Sequence, residues 1–302
     1  MKKPTPFVKW AGGKSQLLKK YKEYYPKKFN TYYEPFLGGG AVFFDLCSLG
    51  RISKAVLSDF NSELMNLWAA VKWKVEELIS ELEPLQKKVN NSRDYYEIRI
   101  EYNNTELNKD FLLNPHIRKA ALLLYLNRTC YNGLYRVNVK GKFNVPFGRY
   151  KNPRLVDRDN LMMVRKTLND GDRIELRCED FGKCVENAKR GDFIYFDPPY
   201  QPLNATSSFT GYTAGGFGIR EQKRLSKVFK RLDRLGCYEM LSNSHSEEVL
   251  RPLYKKYFID RAFVVQAPRA ISCVGTGRGL INELVILSYN LSVKKQSCLI
   301  EH

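Results

Sequence analysis

Short apolar runs that close on an acid or a glycine turn, each followed by a helical pattern, recur along this 302-residue chain and constrain its fold most. Tyr32 to Phe36 reads as a strand, Gly38-Gly39-Gly40 as a turn, and Ala41 to Leu49 as an apolar helix. A second strand, Ala55 to Leu57, ends at Ser58-Asp59, and the helix after it carries Leu64, Leu67, Trp68 and Val71 at helical spacing. Strand and helix alternating in this way imply a parallel sheet. The rhythm resumes with strands at Ile174 to Cys178, Phe193 to Phe196, Tyr238 to Leu241 and Leu284 to Leu287. Between the last three lies a helix, Ile219 to Leu235, with Leu225, Val228, Phe229 and Leu232 on one face. Its Lys223, Arg224, Lys227, Lys230, Arg231 and Arg234 read as the solvated side.

From about Lys74 to Pro153 the character changes. Helical stretches appear, one of them the apolar Ala120 to Leu126, and then a segment rich in Gly and Asn from Tyr131 to Tyr150. Val137 to Val145 is predicted to form a β-hairpin with Lys140-Gly141 near its turn. Residues 74–153 therefore read as an insertion into an α/β domain built from 1–73 and 154–302.

The formal net charge of +18 points to a polyanionic partner, most simply nucleic acid. No apolar run reaches the length that spans a bilayer, and the start of the chain lacks a signal peptide's apolar stretch, so no membrane partner and a bacterial-type cytoplasmic location are expected. Seven cysteines without a CxxC pair and three histidines give no zinc pattern and suggest free thiols in a reducing compartment.

The chemistry concentrates at Asp197-Pro198-Pro199-Tyr200, which follows the buried strand Phe193 to Phe196. Ligands of open α/β sheets bind at the carboxyl ends of strands. Proline lacks an N–H and holds the preceding residue extended. Asp197 and Pro198 therefore offer a carboxylate and a carbonyl with no competing donor, and Tyr200 adds a flat ring. Two acceptors beside a stacking face suit a planar ring carrying an exocyclic amine. Glu34 to Gly40 forms the first strand-to-helix junction, and Asp59 ends the next strand about twenty residues later. That spacing suits a nucleoside-containing cofactor whose ribose hydroxyls meet Asp59; a tight turn with a helix-capping Asp gives the same pattern. Phe7 to Ser15 resembles the tail of a P-loop, but Val8 stands where the first glycine is needed, which argues against nucleotide hydrolysis. A glycine turn beside Trp10 and Lys14 can still serve an amino-acid carboxylate.

Taken in order, Phe7 to Lys14, Glu34 to Gly40, Tyr125 to Arg128, Tyr131 to Arg136, Phe143 to Tyr150, Asp197 to Tyr200 and Phe209 to Tyr212 resemble the DNA adenine-N6 methyltransferases of the Dam type, the D12 class that acts on GATC. The resemblance spans nearly the whole chain. It implies a Rossmann-like α/β methyltransferase sheet with 74–153 as an inserted helical and β-hairpin target-recognition domain. It also implies S-adenosylmethionine as cofactor, S-adenosylhomocysteine as product, no metal, and double-stranded DNA bound by a monomer. Trp10, Lys14, Asp59 and Asp197 match the family's cofactor-contacting positions, with Gly38 and Gly40 in the loop and Phe36, Asp180 and Phe181 near the cofactor's adenine. Asp197, Pro198, Pro199 and Tyr200 become the catalytic tetrad, Tyr200 stacking on a flipped-out adenine, with Phe209 and Tyr212 as weaker candidates for the pocket wall. Tyr131 is assigned to intercalation, Asn132 to support of the opened step, Leu134 and Pro146 to apolar base contacts, Arg136 and Lys9 to the two guanines, and Arg149 and Tyr150 to phosphates. Tyr135 is bulky where the family varies, and the tail after Tyr289 carries no motif. The competing functions are methylation of RNA or of a protein glutamine, and a non-catalytic DNA-binding module.

Overall fold

The structure, a computed structural model, describes residues 3–171, 173–199, 217–244, 247–268 and 280–291. A seven-stranded sheet runs in the order β3-β2-β1-β4-β5-β7-β6. Its strands are β1 (Thr31–Glu34), β2 (Lys54–Ser58), β3 (Ile174–Arg177), β4 (Phe193–Phe196), β5 (Tyr238–Ser244), β6 (Ala262–Pro268) and β7 (Leu280–Leu287). The first five are mutually parallel, and β7 runs antiparallel between β5 and β6. This is the mixed α/β sheet expected of a Rossmann-like methyltransferase.

Every residue of β4 is buried, as a parallel strand covered on both faces requires. Successive side chains alternate between two cores. Tyr32, Leu57, Phe193 and Tyr195 face one, while Tyr33, Val56, Ile194 and Phe196 face the other. The first core is covered by α1 (Leu18–Tyr21), α2 (Ala41–Ser48) and α3 (Ser62–Trp73). The second is covered by α8 (Phe181–Cys184), α9 (Ile219–Leu235) and α10 (Glu247–Leu253). Leu225, Phe229 and Leu232 of α9 are buried. Of its seven basic residues, Arg224 leaves the solvated side to bind Asp180, and Arg231 reaches the Val185 carbonyl.

β6 is the strand that periodicity did not mark. It lies at the sheet edge, where a proline such as its terminal Pro268 is tolerated, and it pairs antiparallel with β7. β7 also begins four residues earlier than its apolar run suggests: polar Asn282 and Glu283 belong to the ladder, opposite Gln266 and Val265.

Residues 74–153 supply α4 (Val75–Gln86), α5 (Ser92–Asn104) and α6 (Ile117–Thr129), followed by a long loop to α7 (Arg158–Leu168). Their apolar faces share one core with α3 and α7. The expected hairpin forms in short form, with Lys140-Gly141 at its turn. The Asn138 N–H donates to the Lys142 carbonyl at 2.9 Å and the Asn144 N–H to the Arg136 carbonyl at 3.1 Å, on either side of an isolated Val137–Phe143 bridge. The outward-facing backbone groups of its second arm are taken by α5. Asn103 bonds both the N–H and the carbonyl of Phe143 at 2.8 and 3.0 Å, and the Tyr95 hydroxyl donates to the Val145 carbonyl at 2.7 Å.

Candidate active site

The strand order reverses between β1, whose successors in the chain lie to one side, and β4, which opens the other side. A crevice forms at such a switch point. Here it is a cavity of about 830 Å³, walled by the residues that follow β1, β2 and β4 and by the segment Pro6 to Gln16. Trp10, Lys14, Phe36, Gly38, Gly40, Asp59, Asp180, Phe181, Asp197, Pro198 and Pro199 all line it, as does Lys9. Tyr200, Phe209 and Tyr212 lie outside the described residues.

One end of the cavity is aromatic. Phe36 meets Phe181 with ring centroids 5.4 Å apart and Phe217 at 5.6 Å. Next to it Asp59, at the end of β2, accepts from the Gly38 N–H through one oxygen and the Asn61 N–H through the other, both at 3.0 Å. Burial raises its carboxyl above the usual range, opposed by those backbone N–H groups. Gly38 sits at φ +48°, and a Cβ there would lie 2.8 Å from Cδ1 of Trp10. A side chain at position 38 would therefore push the Trp10 ring inward. Trp10 in turn stacks on Tyr135 of the insertion, centroids 5.2 Å apart and 27° between planes. Gly40 is the N-cap of α2.

The other end is charged. The Lys14 ammonium, buried to 2 % exposure, donates to both oxygens of Asp197 at 2.7 Å and to the Gly12 carbonyl at 2.6 Å. Glu283 of β7 stands 3.9 Å from the same nitrogen. Burial pushes the Asp197 carboxyl up to about 6, against the pull of Lys14 and with the push of Glu283. The carboxylates outweigh the burial penalty at Lys14, whose pKa stays above its ordinary value. Glu34 is buried on the same wall, where it accepts from the Tyr32 hydroxyl at 2.8 Å; burial raises its carboxyl well above the usual carboxylate range.

Asp180 lines the cavity with its carboxylate already paired. Both its oxygens are held by the Arg224 guanidinium, and Oδ1 also caps α8 through the Gly182 N–H at 2.8 Å. Its pKa is lowered by Arg224 and those N–H groups although burial acts the other way.

The expected nucleic-acid residues gather where the insertion meets the N-terminal segment. Asn127 at the end of α6 clamps Lys9: its Oδ1 accepts from the Lys9 N–H at 2.8 Å and its Nδ2 donates to the Lys9 and Gly133 carbonyls. The Lys9 ammonium lies 4.7 Å from the centre of the Tyr150 ring. Gly133, at φ +63°, lies against the Lys9 side chain, where a Cβ would come within 2.6 Å. Tyr131 is 46 % exposed, and its N–H donates to the Pro146 carbonyl at 2.9 Å, which joins the two segments at the backbone. Asn132 takes a left-handed conformation, φ 55°. Leu134 is half-buried against the core. Arg136 is held by Asn144, Nε to Oδ1 at 2.8 Å, and Arg149 is exposed.

The family description D12 class N6 adenine-specific DNA methyltransferase matches residues 10–271. The chain belongs to this family. The methyltransferase is 42% identical over 285 residues to the Type II methyltransferase M1.LlaDCHI of Lactococcus lactis subsp. cremoris, covering 94% of this chain and 95% of that one. It is equally 42% identical, over 296 residues, to the Type II methyltransferase M.MjaIII of Methanocaldococcus jannaschii, covering 94% and 99%. The DNA adenine methylase of Escherichia coli (strain K12) is 35% identical over 288 residues, covering 95% and 96%. Family membership makes the protein an enzyme that methylates adenine in DNA and implies S-adenosylmethionine as donor. The cavity suits that molecule: an aromatic end for its purine, an acid for its ribose, and a charged end for its amino-acid portion. Among the described residues no helix of the methyltransferase is long and apolar enough to cross a membrane.

Several residues of this site escaped the motif reading. Phe60, directly after Asp59, and Phe217 and Arg224 of the α9 entrance line the cavity. Phe60 was signalled only by its neighbour; Phe217 and Arg224 reach the cavity through tertiary packing. Glu283, an acid inside an apolar strand, was a sequence anomaly and marks a buried polar cluster.

Proposed function

We propose that the enzyme transfers a methyl group to N6 of adenine in double-stranded DNA at 5'-GATC-3', by base flipping and direct transfer. The observation that carries this reading is the arrangement at the carboxyl end of β4. There Asp197, followed by two prolines, faces the same cavity as Asp59 and the aromatic end. An adenine amine is a poor nucleophile because its lone pair is delocalised into the ring. Asp197 and the Pro198 carbonyl accept its two hydrogens, which turns the lone pair out of the ring plane. Fixed acceptors also stabilise positive charge as it grows on nitrogen. S-adenosylmethionine, when bound, supplies an electrophilic methyl on sulfur. The amine nitrogen gains one N–C bond as the S–CH3 bond of the donor breaks, its electron pair staying on sulfur, and one N6 proton passes by way of Asp197 to solvent, leaving a neutral N6-methyladenine and S-adenosylhomocysteine. No covalent enzyme intermediate and no metal is needed for this balance.

Asp59 would hold the ribose hydroxyls, and Trp10 with Lys14 the methionine end. The aromatic group of Phe36 and Phe181 would carry the cofactor's purine, with Asp180, held by Arg224, beside it. On the DNA side, Lys9 and Arg136 read guanine, Tyr131 with Asn132 fills the opened step, Leu134 and Pro146 meet bases, and Arg149 and Tyr150 meet phosphates. Residues 74–153 act as the target-recognition unit. Support for the clustering comes from the Asn127 clamp, which fixes Lys9 of the N-terminal segment to the loop that carries Tyr131 and Leu134.

The test is expression of the enzyme with a plasmid in a methylase-free host, followed by digestion with nucleases that differ in sensitivity to GATC methylation. Protection from the methylation-blocked nuclease and cutting by the methylation-dependent one are expected. Adenine methylation without either change at GATC would refute the target sequence.

A further inference from the structure

We propose that Glu283 is a positioning residue for methyl transfer, taking up the Lys14 ammonium when the target amine displaces it from Asp197. The inference rests on the reading of Asp197 as the amine's acceptor. Lys14 at present holds both Asp197 oxygens at 2.7 Å, and an adenine N6–H needs one of them. The ammonium cannot retreat to water, because Lys14 is 2 % exposed, and a lone buried cation is costly. Glu283 Oε1, 3.9 Å from the ammonium, is a second carboxylate within ion-pair range. A shift of roughly 1 Å would bring that contact to charge-assisted hydrogen-bond length.

Glu283 is prepared for this exchange. Its Oε2 accepts from the Tyr21 hydroxyl at 2.9 Å and from Ser242 Oγ at 3.1 Å, which fixes the carboxylate and turns Oε1 toward Lys14. The antiparallel entry of β7 beside β5 puts the acid here, with Glu283 opposite Ser244 in the register. The groups facing Asp197 are therefore Lys14 from the loop before α1, Tyr21 from α1, Glu34 from β1 and Glu283 from β7. Asp197 and Glu283 set two carboxylates around the one Lys14 ammonium, an arrangement that favours a cation growing on the amine. With the ammonium handed to Glu283, Asp197 keeps its own charge and gains a vacant acceptor site at the moment the amine arrives.

A purely structural Glu283, tying α1 to β5, would share the Tyr21 and Ser242 bonds but not the coupling to Asp197. The full-length wild type, Glu283→Gln, Tyr21→Phe, Lys14→Gln and the Lys14→Gln/Glu283→Gln double variant are compared for kcat against pH on duplex DNA with saturating S-adenosylmethionine. Glu283→Gln should lower kcat by on the order of ten- to a hundredfold, the loss of one charged hydrogen bond. It should also move the acid limb to lower pH, because the like charge beside Asp197 is gone. Tyr21→Phe, which keeps the ring, should move the limb in the same direction by less. On the Lys14→Gln background, Glu283→Gln should cost little more. An unmoved acid limb in Glu283→Gln, or a full second loss on the Lys14→Gln background, overturns the proposal. If Glu283→Gln does not fold, an unmoved limb in Tyr21→Phe overturns it. Wild-type enzyme that leaves adenine unmethylated sinks the reading of Asp197, whereas methylating wild type with an unmoved limb sinks only the role of Glu283.

Discussion

Replacing Gly38 by alanine tests the cofactor wall with a perturbation whose size follows from the geometry. Gly38 lies at φ +48°, a left-handed conformation that costs an L side chain about 1–2 kcal/mol. The new Cβ would stand 2.8 Å from Cδ1 of Trp10, well inside an ordinary carbon contact of roughly 3.5–4.0 Å. Trp10 must therefore move off Tyr135, and a stacked aromatic pair contributes about 0.5–1.5 kcal/mol. The Gly38 N–H also donates to Asp59 at 3.0 Å, so any backbone shift disturbs the ribose acid. Together the terms give a loss of about 2–3 kcal/mol. The backbone share should appear as a lower Tm and the Trp10 share as weaker donor binding, roughly two- to tenfold. Calorimetric titration with S-adenosylhomocysteine and thermal melts of both proteins separate the shares. Unchanged affinity together with an unchanged Tm would refute the close-approach argument.

Three further outcomes are expected. Tyr135→Ala removes the support of the Trp10 ring from the insertion side and should weaken donor binding by a few-fold, within the roughly 0.5–1.5 kcal/mol of an aromatic pair; equal affinities in calorimetry would show that the stack carries no binding energy. Arg136→Ala should cost about 1–3 kcal/mol and relax preference at one base pair, read by competition between cognate and single-substituted duplexes; equal weakening of all sequences would make Arg136 a phosphate contact. Because burial holds the Asp197 carboxyl up to about 6 and only its ionised form accepts from the amine, kcat/KM should rise with pH through about 6 and then level; a rate flat from pH 5 to 8 contradicts the assignment.

Much of the fold was legible because parallel strands buried on both faces are continuous apolar runs, as Phe193 to Phe196 illustrates. The sheet's antiparallel edge was not. Exposed Asn282 and buried Glu283, which faces a polar cluster with Tyr21 and Ser242, broke the apolar pattern of β7, and β6 carried no helix-and-turn signature. The predicted hairpin is there in short form, pairing 136–138 with 142–144, and Asn103 and Tyr95 of α5 tie the outer backbone groups of its second arm to the insertion. At the site, the described residues that motifs gave to the cofactor, with Asp197 to Pro199, line one cavity, since motif order encodes the strand ends that converge at a switch point. What no one-dimensional pattern could supply was pairing. Arg224 reaches Asp180 from 44 positions away, and Lys14 and Asp197 are separated by 183.

The central claim is that the Asp197 carboxylate holds the adenine amine during transfer. Its most direct test is tritiated-methyl incorporation into duplex DNA by wild type and Asp197→Ala, with the modified nucleoside identified by mass spectrometry and DNA affinity measured alongside. Wild type should yield N6-methyladenine, and the variant should lose transfer by at least about 10²–10³-fold while still binding DNA. Near-normal turnover by Asp197→Ala, or label on cytosine, would contradict it.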